Sequence, residues 1–307
     1  MSRPTVLVLM AAFNGSRWID EQIQSILDQS DVDVTLIISD DGSSDDTRKK
    51  IQHYQKSDPR VTCIWPEKTT GSAAQNFLWL IRKMPLQHHS FVSLADQDDV
   101  WDRNKLSRGA LAIASGCDAG YSCAVTAFWE DGQSLKLGQQ DRQTGADFLF
   151  EGAGQGCTFL LAADFYCRVR EFMLNHATET AAVHYHDWLI YALSRSWGLS
   201  WVFDKHPMLR YRQHASNDTG ARYSVSGVHR RIGLLRDGWY AKQLQLIAKI
   251  CRSAAPENLT ILEWFNLVLR PPSLSRRLRI ARFCMQNGRR RSSDRAILVG
   301  AALAGWL

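Results

Sequence analysis

Strand-like and helix-like runs alternate through the first hundred residues, and this alternation restricts the chain to an α/β fold. Apolar runs at 5–10, 34–39, 60–65 and 91–95 read as strands, and 14–29, 45–54 and 72–83 between them read as helices. In the first helical run Ile19, Ile23, Ile26 and Leu27 share one face. Such a sequence predicts right-handed crossovers and a Rossmann-like, mainly parallel sheet flanked by helices. Ligands of such sheets bind beyond the carboxyl ends of the strands.

The polar clusters of the chain fall at those ends. The first strand runs into Phe13-Asn14-Gly15, the second into Asp40-Asp41-Gly42-Ser43-Ser44-Asp45, and the fourth into Asp96-Gln97-Asp98-Asp99. Three clusters on one sheet edge predict a crevice, although Asp41-Gly42-Ser43 taken singly is an ordinary turn before a helix cap. Asp96 and Asp98 are two residues apart, so an extended backbone points them the same way. Their oxygens suit Mg²⁺ or Mn²⁺ and, through the ion, a phosphate. The same four residues also suit an acidic cap on the helical run that starts at Lys105, and alone they do not separate the two readings.

Further along, 129–151 is polar and irregular and reads as a loop. Residues 157–162 read as a strand and 164–175 as a helix. His184-Tyr185-His186-Asp187-Trp188 opens a helix to about residue 197, and 199–203 reads as a short strand. Tyr211-Arg212-Gln213-His214 leads into a loop. Beyond 227 the pattern turns helical and basic, which divides the chain into 1–226 and 227–307. The net charge of +6 conceals an asymmetry. From Arg222 onward there are 16 Lys and Arg against 4 Asp and Glu, whereas the residues before it are net acidic. A basic tail on an acidic body implies an anionic partner surface. The seven cysteines are odd in number and form no Cys-x-x-Cys pair, which argues for reduced thiols rather than zinc or a disulfide framework. The start of the chain runs directly into a strand and shows no signal-peptide pattern.

In this order the landmarks resemble family 2 glycosyltransferases of the GT-A fold, and among them bacterial rhamnosyltransferases of surface polysaccharide (O-antigen) synthesis. The resemblance spans roughly 4–221. It rests on Phe13-Asn14, Ser39-Asp40-Asp41-Gly42-Ser43-Ser44-Asp45 and Ala95-Asp96-Gln97-Asp98-Asp99-Val100-Trp101. It continues through Gly154-Gln155-Gly156-Cys157-Thr158, His186-Asp187-Trp188 and Tyr211-Arg212-Gln213-His214-Ala215-Ser216-Asn217. Each motif is weak alone; six in sequence order are specific.

The resemblance implies a metal-dependent, inverting transfer from a nucleotide sugar, with dTDP-rhamnose the leading donor, to a saccharide or lipid-linked oligosaccharide. Asp41 would bind the nucleoside, because a carboxylate accepts a base N–H. Asp96 and Asp98 would form the D-x-D element, Asp98 as the metal ligand and Asp96 near ribose or metal, while Asp99 caps or orients. The ion would neutralise the departing diphosphate. His214 would complete the metal shell or touch the diphosphate, and Arg212 would pair with phosphate oxygens. Asp187 would be the general base; by position alone it is an ordinary first-turn residue, placed where the helix dipole favours a carboxylate. Many relatives carry a hydroxyl residue and Tyr before the Asn, where this chain has Ala11, Ala12 and Phe13. Backbone groups or stacking on Phe13, beside Asn14, would therefore serve the base. His184 and His186 lack the spacing and the third ligand of a metal site.

In the tail, Arg276, Arg277, Arg279 and Arg282 interleave with Leu278, Ile280 and Phe283, and Arg289-Arg290-Arg291 and an apolar run at 296–307 follow. That run is too short to span a bilayer. It suits an interfacial position at the inner face of the cytoplasmic membrane, with arginines on anionic lipid, as well as a packed helical subdomain with a solvated basic face. Two rival readings are weaker. A haloacid dehalogenase-type phosphohydrolase carries its Asp-x-Asp motif on the first strand, whereas three strand–helix units precede Asp96 here. A nucleic-acid-binding protein would use the basic tail, but no finger, helix-turn-helix or RNA-binding motif accompanies it, so no nucleic acid is expected as a partner.

Overall fold

The computed structural model describes residues 3–114, 118–141, 143–214, 233 and 235–307. The chain divides into two compact units: 1–139, 154–177 and 199–216 form the first, and 140–153, 178–198 and 217–307 the second. The expected boundary at 226–227 and the motif residues Ala215, Ser216 and Asn217 lie outside the described residues. The second unit takes in two segments that precede that boundary.

The first unit is built on a nine-stranded sheet. Its strands are β1 (Thr5–Ala12), β2 (Asp33–Asp40), β3 (Val61–Ile64), β4 (Phe91–Ala95), β5 (Val100–Trp101), β6 (Asp118–Phe128), β7 (Ser134–Leu137), β8 (Leu160–Ala162) and β9 (Ser200–Arg212). They follow the order β3-β2-β1-β4-β8-β6-β9-β5, with β7 paired to β6. The crossover half, β3-β2-β1-β4, is parallel as the alternation predicts. Its crossovers are α1 (Ile19–Leu27), α2 (Thr47–Ser57) and α3 (Ala73–Lys83). Val6, Val8, Met10, Leu36, Ile38, Ile19, Ile23 and Ile26 pack into one buried cluster, which is why β1 and β2 read as near-continuous apolar runs.

Beyond β4 the sheet mixes directions. β8 runs antiparallel to both β4 and β6, while β6 and β9 are parallel to each other. This half also contains departures from the sequence reading, the first of them β6 itself, which lies in a stretch where no strand was expected. Residues 129–151 hold β7 and a short α5 (Asp147–Phe150). The strand expected at 199–203 continues to Arg212, with register shifts against β6. α4 (Lys105–Ala112) and α6 (Ala163–Asn175) complete the helices of this unit, and α7 (Ala177–Ala181) begins at its edge.

The second unit is helical. It comprises α5, α8 (His186–Ser196), α9 (Trp239–Ala254), α10 (Leu259–Val268), α11 (Leu274–Asn287) and α12 (Ser292–Ala304). Its core includes Phe148, Phe150, Trp188, Tyr191, Tyr240, Trp264 and Phe283. Phe150 meets Trp264 edge-on at 5.2 Å, a favoured geometry for aromatic pairs. Among the described residues no helix is long and apolar enough to cross a membrane.

Candidate active site

The carboxyl ends of β1, β2 and β4 are joined by side chains of the residues that follow them. Asn14, at φ 48°, donates its backbone N–H to Ser43 Oγ at 2.8 Å. Its Oδ1 accepts from the Ser44 N–H at 2.8 Å. Gln97 meets the Phe13 peptide with both ends of its amide: Oε1 accepts the Phe13 N–H and Nε2 donates to the Phe13 carbonyl, each at 2.8 Å. Gly15 is required beside that amide, because a Cβ there would lie 2.1 Å from Gln97 Oε1. Phe13 itself is 54% exposed, an open aromatic face at the end of the central strand.

Asp40 and Asp41 are both buried. Ser43 donates its hydroxyl to Asp40. Asp41 binds the segment before α3: Thr70 N–H at 2.5 Å, Thr70 Oγ1 at 2.9 Å and Gly71 N–H at 3.1 Å. These occupy three of roughly four acceptor positions of a carboxylate. Asp45 fixes the start of α2 by accepting from Thr47 and from the Ser16 N–H. Burial raises its pKa, but those hydrogen bonds outweigh it and hold the carboxyl at about 2.

At the end of β4 the carboxylates differ in environment. Asp98 Oδ2 lies 2.7 Å from His214 Nε2, and the imidazole stacks on Trp18 at 4.2 Å and 16°. Two cis ligands at the 2.0–2.1 Å distances of Mg²⁺-sized ions stand about 3 Å apart. The Asp98–His214 pair is close to that spacing and joins a carboxylate to an imidazole, a donor set that suits Mn²⁺. Arg212 is committed to protein: Nε donates to the Asp98 carbonyl at 2.8 Å, and its guanidinium also pairs with Glu21.

Asp99 is fully buried. Burial, then the charges of Asp98 and Asp96, push its carboxyl well above the ordinary value. The Cys157 thiol and the Arg212 N–H donate to it. Ligand-type atoms of Asp96, Asp99 and Cys157 lie within 4.8 Å of one another. Burial and the adjacent carboxylates raise the Cys157 thiol as well, so it stays protonated and serves Asp99 as a donor. Beneath the strand, Lys105 is 1% exposed, with Nζ 3.2 Å from Ser93 Oγ and 3.5 Å over the Trp101 ring. Burial pushes its pKa down to about 8.

Asp187 belongs to the second unit, in the first turn of α8, and is half-buried. Its Oδ1 accepts from the Trp188 N–H at 2.7 Å. Burial holds the preceding His186 down at about 3, so that ring is neutral. In the arginine run, Arg290 is 7% exposed and ion-paired to Asp147 at 3.1 Å, while Arg289 lies over Tyr240. Two of the three arginines thus serve the interior of the unit.

Sequence reasoning missed Gln97, Thr70, Trp18 and Lys105. Gln97 sits inside the Asp96–Asp99 cluster, and its place between two carboxylates was the available signal. The other three carry no local pattern.

Known proteins bear on this arrangement. The profile "Glycosyl transferase family 2" matches residues 7–173, more than half of the chain. The chain is 34% identical over 240 residues to the dTDP-rhamnosyl transferase RfbG of Shigella flexneri, covering 78% of this chain and 83% of that one. A UDP-Glc:alpha-D-GlcNAc-diphosphoundecaprenol beta-1,3-glucosyltransferase of Escherichia coli, WfgD, is 33% identical over 103 residues, 33% of this chain and 38% of that one. Among solved structures, S. aureus TarS 1-349 in complex with UDP aligns with a TM-score of 0.55 at 12% identity, covering 98% of this chain and 87% of that one. The mannosyltransferase PcManGT from Pyrobaculum calidifontis in complex with GDP-Man and Mn2+ aligns with a TM-score of 0.52 at 16% identity, covering 98% of this chain and 86% of that one. These structures share the fold. With that fold, the matched profile and a relative aligned over most of both chains, the protein belongs to glycosyltransferase family 2.

Proposed function

We propose that the chain transfers rhamnose from dTDP-rhamnose, with inversion, to a lipid-linked saccharide in surface polysaccharide synthesis. The observation that carries this reading is the Asp98–His214 pair at 2.7 Å, on the same strand-end cluster as the exposed Phe13, in a chain similar to a dTDP-rhamnosyl transferase along most of its length.

Phe13 offers a stacking face for the base, and the remaining acceptor position of Asp41 suits one base N–H. Asp98 and His214, with Asp96 adjacent, would hold Mg²⁺ or Mn²⁺, which when bound neutralises the diphosphate. Asp187 takes the proton of the acceptor hydroxyl late in the displacement, as the sugar bond forms, a task a carboxylate can perform. Arg212 acts through Asp98 and Glu21, by holding the end of β4, in place of the direct phosphate contact that the resemblance implies. The exposed apolar and basic residues of α11 suit peripheral contact with the inner leaflet, where a lipid-linked acceptor would lie.

The test is thermal stabilisation by thymidine, uridine and guanosine diphosphates, each with and without Mn²⁺ or Mg²⁺. Thymidine diphosphate is expected to stabilise only with the ion, by about 2.7 kcal/mol at a hundredfold excess over Kd. Asp98→Ala is expected to abolish this. Stabilisation by none of the three would overturn the reading.

A further inference from the structure

We infer that Arg290, from the segment between α11 and α12, is a positioning residue for Asp187, acting through the backbone of Gly152. The inference rests on the reading of Asp187 as the base.

The link runs through the segment 147–152. Asp147 is fully buried and accepts from Tyr191 Oη at 2.7 Å and from Arg195 and Arg290, each at 3.1 Å. Alternate carbonyls of the segment are each taken by a side chain of the same unit. Phe148 accepts from Trp188 Nε1 at 2.9 Å, Phe150 from Tyr240 Oη at 2.7 Å, and Gly152 from Arg290 Nη2 at 2.7 Å. Arg290 also gives its backbone N–H to Glu151 at 2.5 Å. One arginine therefore spans Asp147, Glu151 and Gly152 and sets the path of the segment.

That path ends against the first turn of α8. A Cβ on Gly152 would stand 3.1 Å from the Trp188 nitrogen and 3.3 Å from the Asp187 carbonyl carbon. The Trp188 N–H donates to the Asp187 carboxylate at 2.7 Å. Displacing Gly152 thus displaces the peptide that orients the base. Misplacement of about 1 Å costs about a hundredfold in rate.

The test uses the full-length protein with Gly152→Ala, Arg290→Lys and Asp187→Asn, and Gly152→Ala combined with Asp187→Asn. The readouts are kcat, the KM of each substrate, donor affinity by calorimetry and Tm. Gly152→Ala is expected to lower kcat about tenfold to a hundredfold with donor affinity unchanged. In the Asp187→Asn background the same change should cost almost nothing, because groups that act as a unit are non-additive. An equal loss in both backgrounds, or an unchanged kcat in Gly152→Ala while Asp187→Asn is inactive, overturns the inference and leaves the base intact. Full activity in Asp187→Asn overturns both. Arg290→Lys keeps the charge but not the fork, and should reproduce the kcat loss. An unchanged kcat in folded Arg290→Lys overturns the inference, and should that variant fail to fold, Arg290→Gln is read in its place.

Discussion

Gln97 and Gly15 form the smallest unit on which the strand-end cluster depends. Asp96 and Asp98 carry the acidic groups, and the residue between them turns the other way to tie the end of β4 to the end of β1. Removing that amide in Gln97→Ala should cost about 1–2 kcal/mol, since each net hydrogen bond contributes about 1 kcal/mol. Gly15→Ala should cost as much by pushing the same amide aside, and should become nearly neutral once Gln97 is Ala. Urea unfolding of both single variants and the double variant measures this coupling, and simple additivity would show that the amide is not the obstacle. The acidic cluster was legible in the sequence because it follows an apolar strand. Its partner His214 was legible only through the family resemblance, since the pair is 116 residues apart. The engagement of Arg212 with Glu21 had no local signal at all.

At the scale of elements, β4 and α4 meet at Lys105, a buried ammonium placed between Ser93 Oγ and the Trp101 ring. Burial lowers its pKa to about 8 in the folded protein, with the fields of Cys123, Cys157 and Asp99 opposing. In the unfolded chain lysine keeps a pKa of about 10.4. Between these values the unfolded state binds more protons, so stability rises with pH from about 8 to about 10.4 and is flat below. Lys105→Met lacks this gain. Tm of the two proteins across that window should show the variant losing ground to the wild type as pH rises, and parallel curves would show that the buried charge is not penalised. The elements legible in the sequence were mostly those of the parallel half, whereas β6, 11 residues long and almost wholly buried, was not read as a strand. β1, β2, β4, α1 and α3 are long or strongly periodic, and their predicted limits match to within a few residues, except that α1 begins at Ile19. β7 is almost wholly exposed, and its Ser-Leu-Lys-Leu alternation lasts only 4 residues; α5 also spans 4 residues, too few for a helical period to register. β9 was predicted to end at 203, because Asp204-Lys205-His206-Pro207 interrupts its apolar run. Register shifts against β6 carry the strand through those residues.

For the molecule as a whole, the charge asymmetry concentrates in the second unit, and the structure separates its arginines into two kinds. Arg276 and Arg277 donate to carbonyls near the end of the chain, and Arg290 is buried with Asp147. Arg279 and Arg282 instead stand exposed on α11, beside Leu274, Leu278 and Met285, on the face opposite the buried Ile280, Phe283 and Cys284. Leu274, Leu278, Arg279 and Arg282 line one open groove of about 450 Å³. An apolar and cationic face of this kind has the chemistry of an interfacial helix, whose affinity sums apolar burial and attraction to anionic lipid. Each arginine near an anionic surface contributes about 1 kcal/mol. Arg279→Gln with Arg282→Gln should therefore weaken sedimentation with phosphatidylglycerol vesicles about thirtyfold. Leu274→Ser with Leu278→Ser should weaken it further at any salt concentration, while the arginine contribution fades as ionic strength rises and the Debye length falls to about 8 Å. Transfer to a water-soluble acceptor should be unchanged in both pairs. Equal sedimentation with phosphatidylcholine and phosphatidylglycerol vesicles would show that Arg279 and Arg282 do not engage anionic lipid, and those two arginines would then serve solubility alone.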